Sequence, residues 1–357
     1  MKIGILTFNR AVNYGAVLQA FCLQQTLIEL GYDVEIIDYR PDYFNGNIPL
    51  LRYAVDKSPG KALLKFATIL IEKKKYKGFS SFSDHFMKLS NSFYKYDFDF
   101  VNINYDVIIV GSDQVWNPVI TCGFDNAFWG NTLPEKTKKI TYAASIRDFP
   151  DNYGNSNFLR NSLKNFDAIS IRESSRLNMI ESLYYKKVAV VLDPVLLAPS
   201  EVWDFIKKRI ESKKYLLVYE VRSSSITYKI AKKIALERGL KLVTLSSKIN
   251  PFEIFSNKQT LSPIDFVNYF KFADYVVTTS FHGTAFSILF NKNFYTASVN
   301  TTIDERSSNL LKEIGLFSRL ISNLEEAIEL DINYEEPIKK MLKIRNLSLN
   351  YLLESLK

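Results

Sequence analysis

The feature that most constrains this chain is an alternation, sustained over most of its length, of short apolar runs with segments whose apolar residues recur at helical spacing. "KIGILTF" (2–8) reads as a strand, and from Ala16 to Leu30 the apolar residues keep a helix period until Gly31 offers a stop. "DVEIIDY" (33–39) is the next strand, which completes a βαβ unit and predicts a parallel sheet with helices on both faces. Further buried strands are expected in "YDVIIVG" (105–111), "KKITYAAS" (138–145), "FDAISIRESS" (166–175) and "KKVAVVLDPVLL" (186–197), with one or two basic helices in residues 61–94. Together they describe a doubly wound domain.

A second alternation follows. "YLLVYEV" (215–221), "KLVTLSS" (241–247) and "YVVTTS" (275–280) read as strands; residues 225–239, 262–273 and 283–292 read as the helices among them. Ser262 has the character of an N-cap, with Pro263 at the first helical position. The terminal stretch 334–357 is an amphipathic, basic helix or helix pair. The expected fold is therefore α/β, with two Rossmann-like domains. Their bounds are 1–198 and 199–325, and the helical segment 326–357 is expected to pack back on the first.

Composition agrees with two cores, because 357 residues at 47% hydrophobic exceed what one core of roughly 250–300 residues holds. The opening "MKIGILTF" is too short for a signal-peptide core, and no apolar run approaches the ~20 residues of a membrane span. Only Cys22 and Cys122 are present, far apart, so neither a disulfide framework nor a structural metal site is expected, which suits the cytoplasm. The net charge of +8, with basic clusters at 61–77 and 135–139, favours anionic partners or simply a solvated basic face. No recognition helix, zinc finger or RNA-binding signature supports a nucleic-acid partner.

Ligands of open α/β sheets sit beyond the carboxyl ends of strands, so polar residues at strand exits are the candidates. After the first strand, Asn13 and Tyr14 sit beside Gly15 and a helix start, either as a cap and glycine turn or as contacts for hydroxyls or anions. After "VIIV", the residues Ser112, Asp113, Gln114, Trp116 and Asn117 combine hydrogen-bonding groups with a flat aromatic, a mixture that binds sugars. Arg172 either pairs with Glu173 or another acid, or offers a planar fork to a carboxylate or phosphate.

The last candidate is His282, one of two histidines, set where an apolar run meets a helix start. Imidazole exchanges protons near neutral pH, and Gly283 and Thr284 would bring backbone N–H groups to the same point as an anion seat. The other histidine, His85, has no catalytic partner near it in sequence and reads as a surface or packing residue.

These segments, "NYGAVLQA", "GSDQVWNP", "SIRESS", "LDPVLL" and "SFHGTAFSILFNK", resemble in order and spacing those of the polysaccharide pyruvyl transferase family, over roughly residues 3–320. The resemblance implies two Rossmann-like domains facing across a cleft, GT-B-like, with phosphoenolpyruvate as donor and co-substrate and no resident cofactor or metal. It implies a donor site of Arg172, His282 and Arg306, with Ser280, Gly283 and Thr284 around the donor. Asn13, Tyr14, Asp113, Gln114, Trp116 and Asn117 would hold the acceptor sugar, on a lipid-linked or nucleotide-linked glycan, and Asp113 would be the base for its hydroxyl. Arg147, in "AASIRDF", departs from the family pattern and is a surface residue or an extra anion contact.

The expected product is a cyclic pyruvate ketal on a bacterial surface polysaccharide precursor, made at the inner face of the cytoplasmic membrane, where the basic 61–77 segment would touch anionic lipid. A nucleotide-sugar-dependent GT-B glycosyltransferase and a non-enzymatic glycan-binding protein are the competing expectations.

Overall fold

The computed structural model describes residues 1–44, 59–94, 103–146, 156–222, 224–246, 257–298, 302–327 and 331–357; the side chains of 59–67, 94, 156, 246, 257 and 302–304 also lie outside that description. Arg147 falls outside it as well. The chain divides into two compact units: Met1–Asn45 with Ser83–Ala198 and Ile344–Lys357, and Gly46–Phe82 with Pro199–Lys343. Residues 59–82 thus go with the second unit, whereas the sequence-based bounds put them in the first domain.

In chain order the elements up to residue 198 are β1 (Lys2–Leu6), α1 (Tyr14–Glu29), β2 (Asp33–Arg40), α2 (Pro59–Phe86), β3 (Leu89–Tyr94), β4 (Val107–Val110), β5 (Lys138–Thr141), α3 (Ser156–Leu163), β6 (Ile169–Ile171), α4 (Leu177–Leu183), β7 (Val188–Val190) and α5 (Pro194–Leu197). Five of the strands form a sheet of order β3-β2-β1-β4-β5, paired in parallel throughout. Single bridges from Ile140 to Ala168 and from Ala144 to Ile171 carry the parallel order on to the β6-β7 pair. The order reverses direction between β1 and β4, so the loops leaving these two strands flank the crevice where such sheets bind ligands.

Two details differ from the sequence-based expectation. β3 follows α2 where only helix is expected, because "LSNSFY" is an edge strand too polar to carry an apolar signature. The run 186–197 is not one strand: it ends as β7, and Asp193 then caps the short helix α5, its Oδ1 accepting from Val195 N–H at 3.0 Å with Pro194 at the first turn.

A buried carboxylate locks the exits of β1 and β2. Asp38 accepts from Asn9 Nδ2 (3.1 Å), Arg10 Nε and Nη2 (2.6 and 2.7 Å), Arg40 Nε and Nη2 (3.0 and 2.7 Å) and the Ser92 hydroxyl (2.9 Å). Burial alone would raise its pKa, but the hydrogen bonds and charges of Arg10 and Arg40 prevail and hold it down at about 2. Tyr351 donates to Thr141 O (2.9 Å) and Ser348 Oγ accepts from Leu192 N–H (3.0 Å), which ties residues 344–357 to the first unit.

The second unit contains β8 (Tyr215–Glu220), α6 (Ser225–Glu237), β9 (Lys241–Ser246), α7 (Pro263–Lys271), β10 (Tyr275–Thr278), α8 (Phe281–Leu289), β11 (Asn293–Ala297), α9 (Thr302–Ile314) and β12 (Leu320–Ile321), followed by α10 (Glu335–Leu356). Its strands pair in parallel in the order β12-β11-β10-β8-β9. The direction reverses between β8 and β10. Ser262 caps α7 in a reciprocal capping box with Asp265. Leu216, Val218, Ile230, Ile234, Tyr275 and Val277 lie in a core between α6 and the sheet. No helix among the described residues is long and apolar enough to cross a membrane.

Candidate functional site

His282 stands at the point of reversal in the second sheet. β10 ends at Thr278, whose hydroxyl donates to Tyr219 O at the end of β8 (2.8 Å) and accepts from Ser280 N–H (3.1 Å). Thr279 N–H donates to Tyr219 O (3.2 Å), and its hydroxyl accepts from Val221 N–H and donates to Arg222 O (both 3.2 Å). These two threonines clasp the β8 and β10 exits, and α8 departs immediately afterwards with Ser280 as N-cap and His282 in its first turn.

The glycine at 283 is demanded by packing: a Cβ there would collide with the Thr278 hydroxyl. The helix end therefore seats directly on the strand end. The first intrahelical bond runs from Thr284 N–H to Ser280 O (2.9 Å), so the amides of residues 281–283 precede it at the positive end of the helix. Thr284 corrects the expectation that its backbone N–H is offered to a ligand. That amide is spent on Ser280, and its buried side chain bonds Ser280 O (3.1 Å) and Thr296 Oγ1 (2.7 Å).

Phe281, which sequence reasoning passes over, joins the two basic residues expected at this site. Its ring lies edge-on to the His282 imidazole, with centroids 5.3 Å apart, and the Arg306 guanidinium from α9 stands over it at 5.0 Å from the centroid. Both basic side chains are half-buried. The second unit thus gathers His282, Arg306 and the start of α8 in one place, an arrangement suited to binding a small anion and moving a proton on it.

In the first unit the exits of β1 and β4 are stitched by Thr7, whose hydroxyl donates to Ser112 O (2.8 Å) and accepts from Gln19 Nε2 (3.0 Å). Asn13 is exposed and caps α1, its Oδ1 accepting from Ala16 N–H (3.3 Å); Tyr14 is buried at the first helical position. Asp113 has a positive φ of 78° and uses Oδ1 to accept from Gln114 N–H (2.9 Å). Gln114 is half-buried and its Oε1 takes the Asn117 amide (2.8 Å).

Trp116 and Asn117 are corrections. Trp116 is fully buried, its indole N–H donates to Phe128 O (2.8 Å) and its ring stacks on Trp129 at 4.8 Å, so no face remains for a sugar. Asn117 is buried as well, and its Oδ1 accepts from Val119 N–H (3.0 Å), shaping the turn.

Arg172 stands among three carboxylates. Its buried guanidinium meets Asp193 Oδ2 (2.7 Å), Glu173 Oε1 (3.4 Å) and Asp113 Oδ1 (3.6 Å), so the alternative of pairing with nearby acids is the one observed. Burial disfavours its charge, yet the fields of Glu173, Asp193 and Asp113 outweigh that and raise its pKa further. Ser145 supports the cluster, its hydroxyl donating to Glu173 Oε1 (2.7 Å) and its N–H to Asp113 O (3.0 Å). Asp193 and Ser145 lie within motifs legible in the sequence, but nothing in their spacing points to Arg172.

Comparisons with known proteins agree with this architecture. Similar solved structures include a putative UDP-N-acetylglucosamine 2-epimerase from Listeria monocytogenes (12% identity over 99% of this chain and 94% of that one, TM-score 0.52). Another is a UDP-N-acetylglucosamine 2-epimerase from Rickettsia bellii (10% identity, 99% and 96%, TM-score 0.50). At such identities the likeness is one of fold alone, two Rossmann-like units of the GT-B-like class. No curated protein matches the chain. The family model described as polysaccharide pyruvyl transferase matches residues 13–300, most of the sequence and every motif from Asn13 to the His282 turn, and the chain accordingly belongs to the polysaccharide pyruvyl transferase family.

Proposed function

We propose that this protein transfers the pyruvyl group of phosphoenolpyruvate to two hydroxyls of a sugar, forming a cyclic ketal and releasing phosphate. The observation that carries the reading is the placement of His282 at the β8/β10 reversal, in the first turn of α8, with Arg306 held on the same Phe281 ring. A helix start and a guanidinium suit a ligand that bears both a carboxylate and a phosphate.

In the reaction, an acceptor hydroxyl oxygen bonds to C2 of the donor while His282 delivers a proton to the methylene carbon, which becomes a methyl group. The C2–O bond to phosphate then breaks, and a second hydroxyl closes the ketal at C2. Over the cycle one hydroxyl proton is balanced by the new methyl hydrogen and the other leaves with phosphate. The acceptor is assigned to the β1 and β4 exits of the first unit, where Asn13 is exposed and Gln114 is half-buried. The acceptor is a lipid-linked or nucleotide-linked glycan used on the cytoplasmic side of the membrane. Exposed Lys73, Lys74 and Lys77 of α2, beside exposed Leu70, would then face anionic lipid.

Calorimetric titration with phosphoenolpyruvate and with a panel of nucleotide sugars tests this reading. Saturable phosphoenolpyruvate binding is expected. Tight binding of UDP- or GDP-sugars with none of phosphoenolpyruvate would instead establish a nucleotide-sugar transferase, and glycan binding alone a non-enzymatic module.

A further inference from the structure

Two helices start at the reversal of the second sheet. α8 follows β10 and carries His282, while α6 follows β8 and has Ser224 as its N-cap. The loops that lead to them are joined, because the Thr279 hydroxyl accepts from Val221 N–H and donates to Arg222 O, both at 3.2 Å. Ser280, the cap of α8, directly follows Thr279, and Ser224 lies two residues beyond Arg222, at most about 7 Å of chain. Both helix starts therefore open on the same strand-exit crevice of the second unit.

The start of α6 holds polar groups that its own helix does not use. The Ser224 side chain is half-buried and makes no capping hydrogen bond. The amides of Ser225 and Ile226 fall in the first turn, where an α-helix supplies no acceptor. Thr227, in that same turn, is 0% exposed, and its Oγ1 has no hydrogen-bond partner. It shares the buried side of α6 with Ile230, Ala231 and Ile234, which face the sheet. Helical side chains lean toward the amino end, so the Thr227 hydroxyl is aimed back at the β8 exit under the start of α6. Leaving a buried hydroxyl unbonded is costly, and a valine of the same shape would pack there without that cost.

Charge divides the donor between the two starts. At α8, His282 and Arg306 lie on one Phe281 ring. At α6, the exposed Arg222 is offset by Glu220, whose Oε1 accepts from Ser224 N–H at 3.2 Å. A phosphate monoester carries about −1.5 to −2 at neutral pH and a carboxylate only one charge, so the phosphate goes to the more positive start and the carboxylate to the nearly balanced one. We infer that the start of α6 is the seat of the donor's carboxylate: the Ser224 hydroxyl and the amides of Ser225 and Ile226 donate to it, and Thr227 Oγ1 donates from the inner side. Held at both ends, the donor presents its methylene carbon to His282 in a single orientation. This inference deepens the proposed pyruvyl transfer and rests on it.

The test uses the full-length chain as wild type, Ser224→Ala, Thr227→Val, Thr227→Ser and Arg306→Gln, with thermal melts to follow folding. Calorimetry measures three probes: phosphoenolpyruvate, vinyl phosphate, which is the same molecule without its carboxylate, and inorganic phosphate. Wild type should bind phosphoenolpyruvate at least about tenfold more tightly than vinyl phosphate. Ser224→Ala and Thr227→Val should each weaken phosphoenolpyruvate about tenfold while leaving vinyl phosphate and inorganic phosphate within about twofold, and Thr227→Ser should bind like wild type. Arg306→Gln should weaken all three.

Equal losses for phosphoenolpyruvate and vinyl phosphate in the α6 variants would put the phosphate at α6 and overturn the inference. Unchanged phosphoenolpyruvate affinity in both would overturn it too and leave Thr227 holding only a buried water, and so would unchanged phosphate affinity in Arg306→Gln. Should Thr227→Val fail to fold, Ser224→Ala and the wild-type preference for phosphoenolpyruvate over vinyl phosphate decide in the same way. Wild type that binds both equally well loses the carboxylate seat alone, whereas wild type that binds no phosphoenolpyruvate sinks the pyruvyl-transfer reading beneath it.

Discussion

The guanidinium of Arg306 stands over the ring of Phe281, 5.0 Å from its centroid, and the same ring packs edge-on against His282. A hydrophobic residue one position before the histidine thus orients two basic groups from different helices. Replacing Phe281 by Leu should keep the fold and lower kcat/KM about tenfold, from loss of a cation–π contact of roughly 1 kcal/mol and looser placement of both side chains, whereas Phe281→Tyr should keep most activity. Steady-state phosphate release on the two variants checks this; equal activity would mean the ring is only filler.

Gly283 is a steric requirement of the α8–β10 junction, so Gly283→Ala should destabilise the protein by about 1–3 kcal/mol through overpacking against Thr278. The Thr278→Ala change removes the obstructing hydroxyl but also its bond to Tyr219 O. Denaturant titrations of the singles and the double should show the pair costing less than the sum, and strict additivity would place the strain elsewhere.

Asp38 links stability to acid pH. Its folded value of about 2 lies below the usual carboxylate value of about 3.9, so the stabilisation is complete above about pH 4 and is lost as pH falls through 2. The contribution is on the order of 2 kcal/mol. Asp38→Asn leaves Arg10 and Arg40 without their shared counter-charge and should cost about 3 kcal/mol at neutral pH while flattening the acid limb. Chemical denaturation of both proteins from pH 7 to pH 2 measures this, and parallel acid limbs would contradict it.

The lysine face of α2 makes a surface prediction. Reversing Lys73, Lys74 and Lys77 to Glu should reduce sedimentation with phosphatidylserine-rich vesicles at low salt by about a hundredfold in partition, at roughly 1 kcal/mol per basic residue near the surface, and leave the fold intact. Wild-type binding that ignores salt, or no binding at all, would remove the membrane from the account. Lys75 differs from its neighbours: it is buried, and that burial lowers its pKa.

The βα alternation was legible because each buried parallel strand is a short apolar run and each covering helix keeps its period. It failed where local chemistry outweighs hydrophobicity, as in the polar edge strand β3 and at Asp193-Pro194, where a cap and a helix-starting proline end a strand-like run. Among site residues, His282 was legible as a rare titratable group at a strand exit. Trp116 was not, because one turn of sequence cannot tell whether a ring faces a ligand or Trp129. Pairing of Arg172 with a nearby acid was one of two open readings, but Asp113 and Asp193 as the further partners were not legible, since they reach it only through the pairing of β4, β5, β6 and β7.

In the proposed reaction His282, at the start of α8, protonates the carbon of phosphoenolpyruvate that becomes the methyl group. Purified wild type and His282→Ala are given phosphoenolpyruvate with a panel of lipid-linked galactosides, glucosides and mannosides in deuterated buffer, and phosphate release and deuterium in the product methyl group are followed. Wild type should release phosphate with one acceptor and place deuterium in the new methyl group, while His282→Ala, folded and melting like wild type, should do neither. Undiminished phosphate release and methyl labelling by His282→Ala would contradict the account.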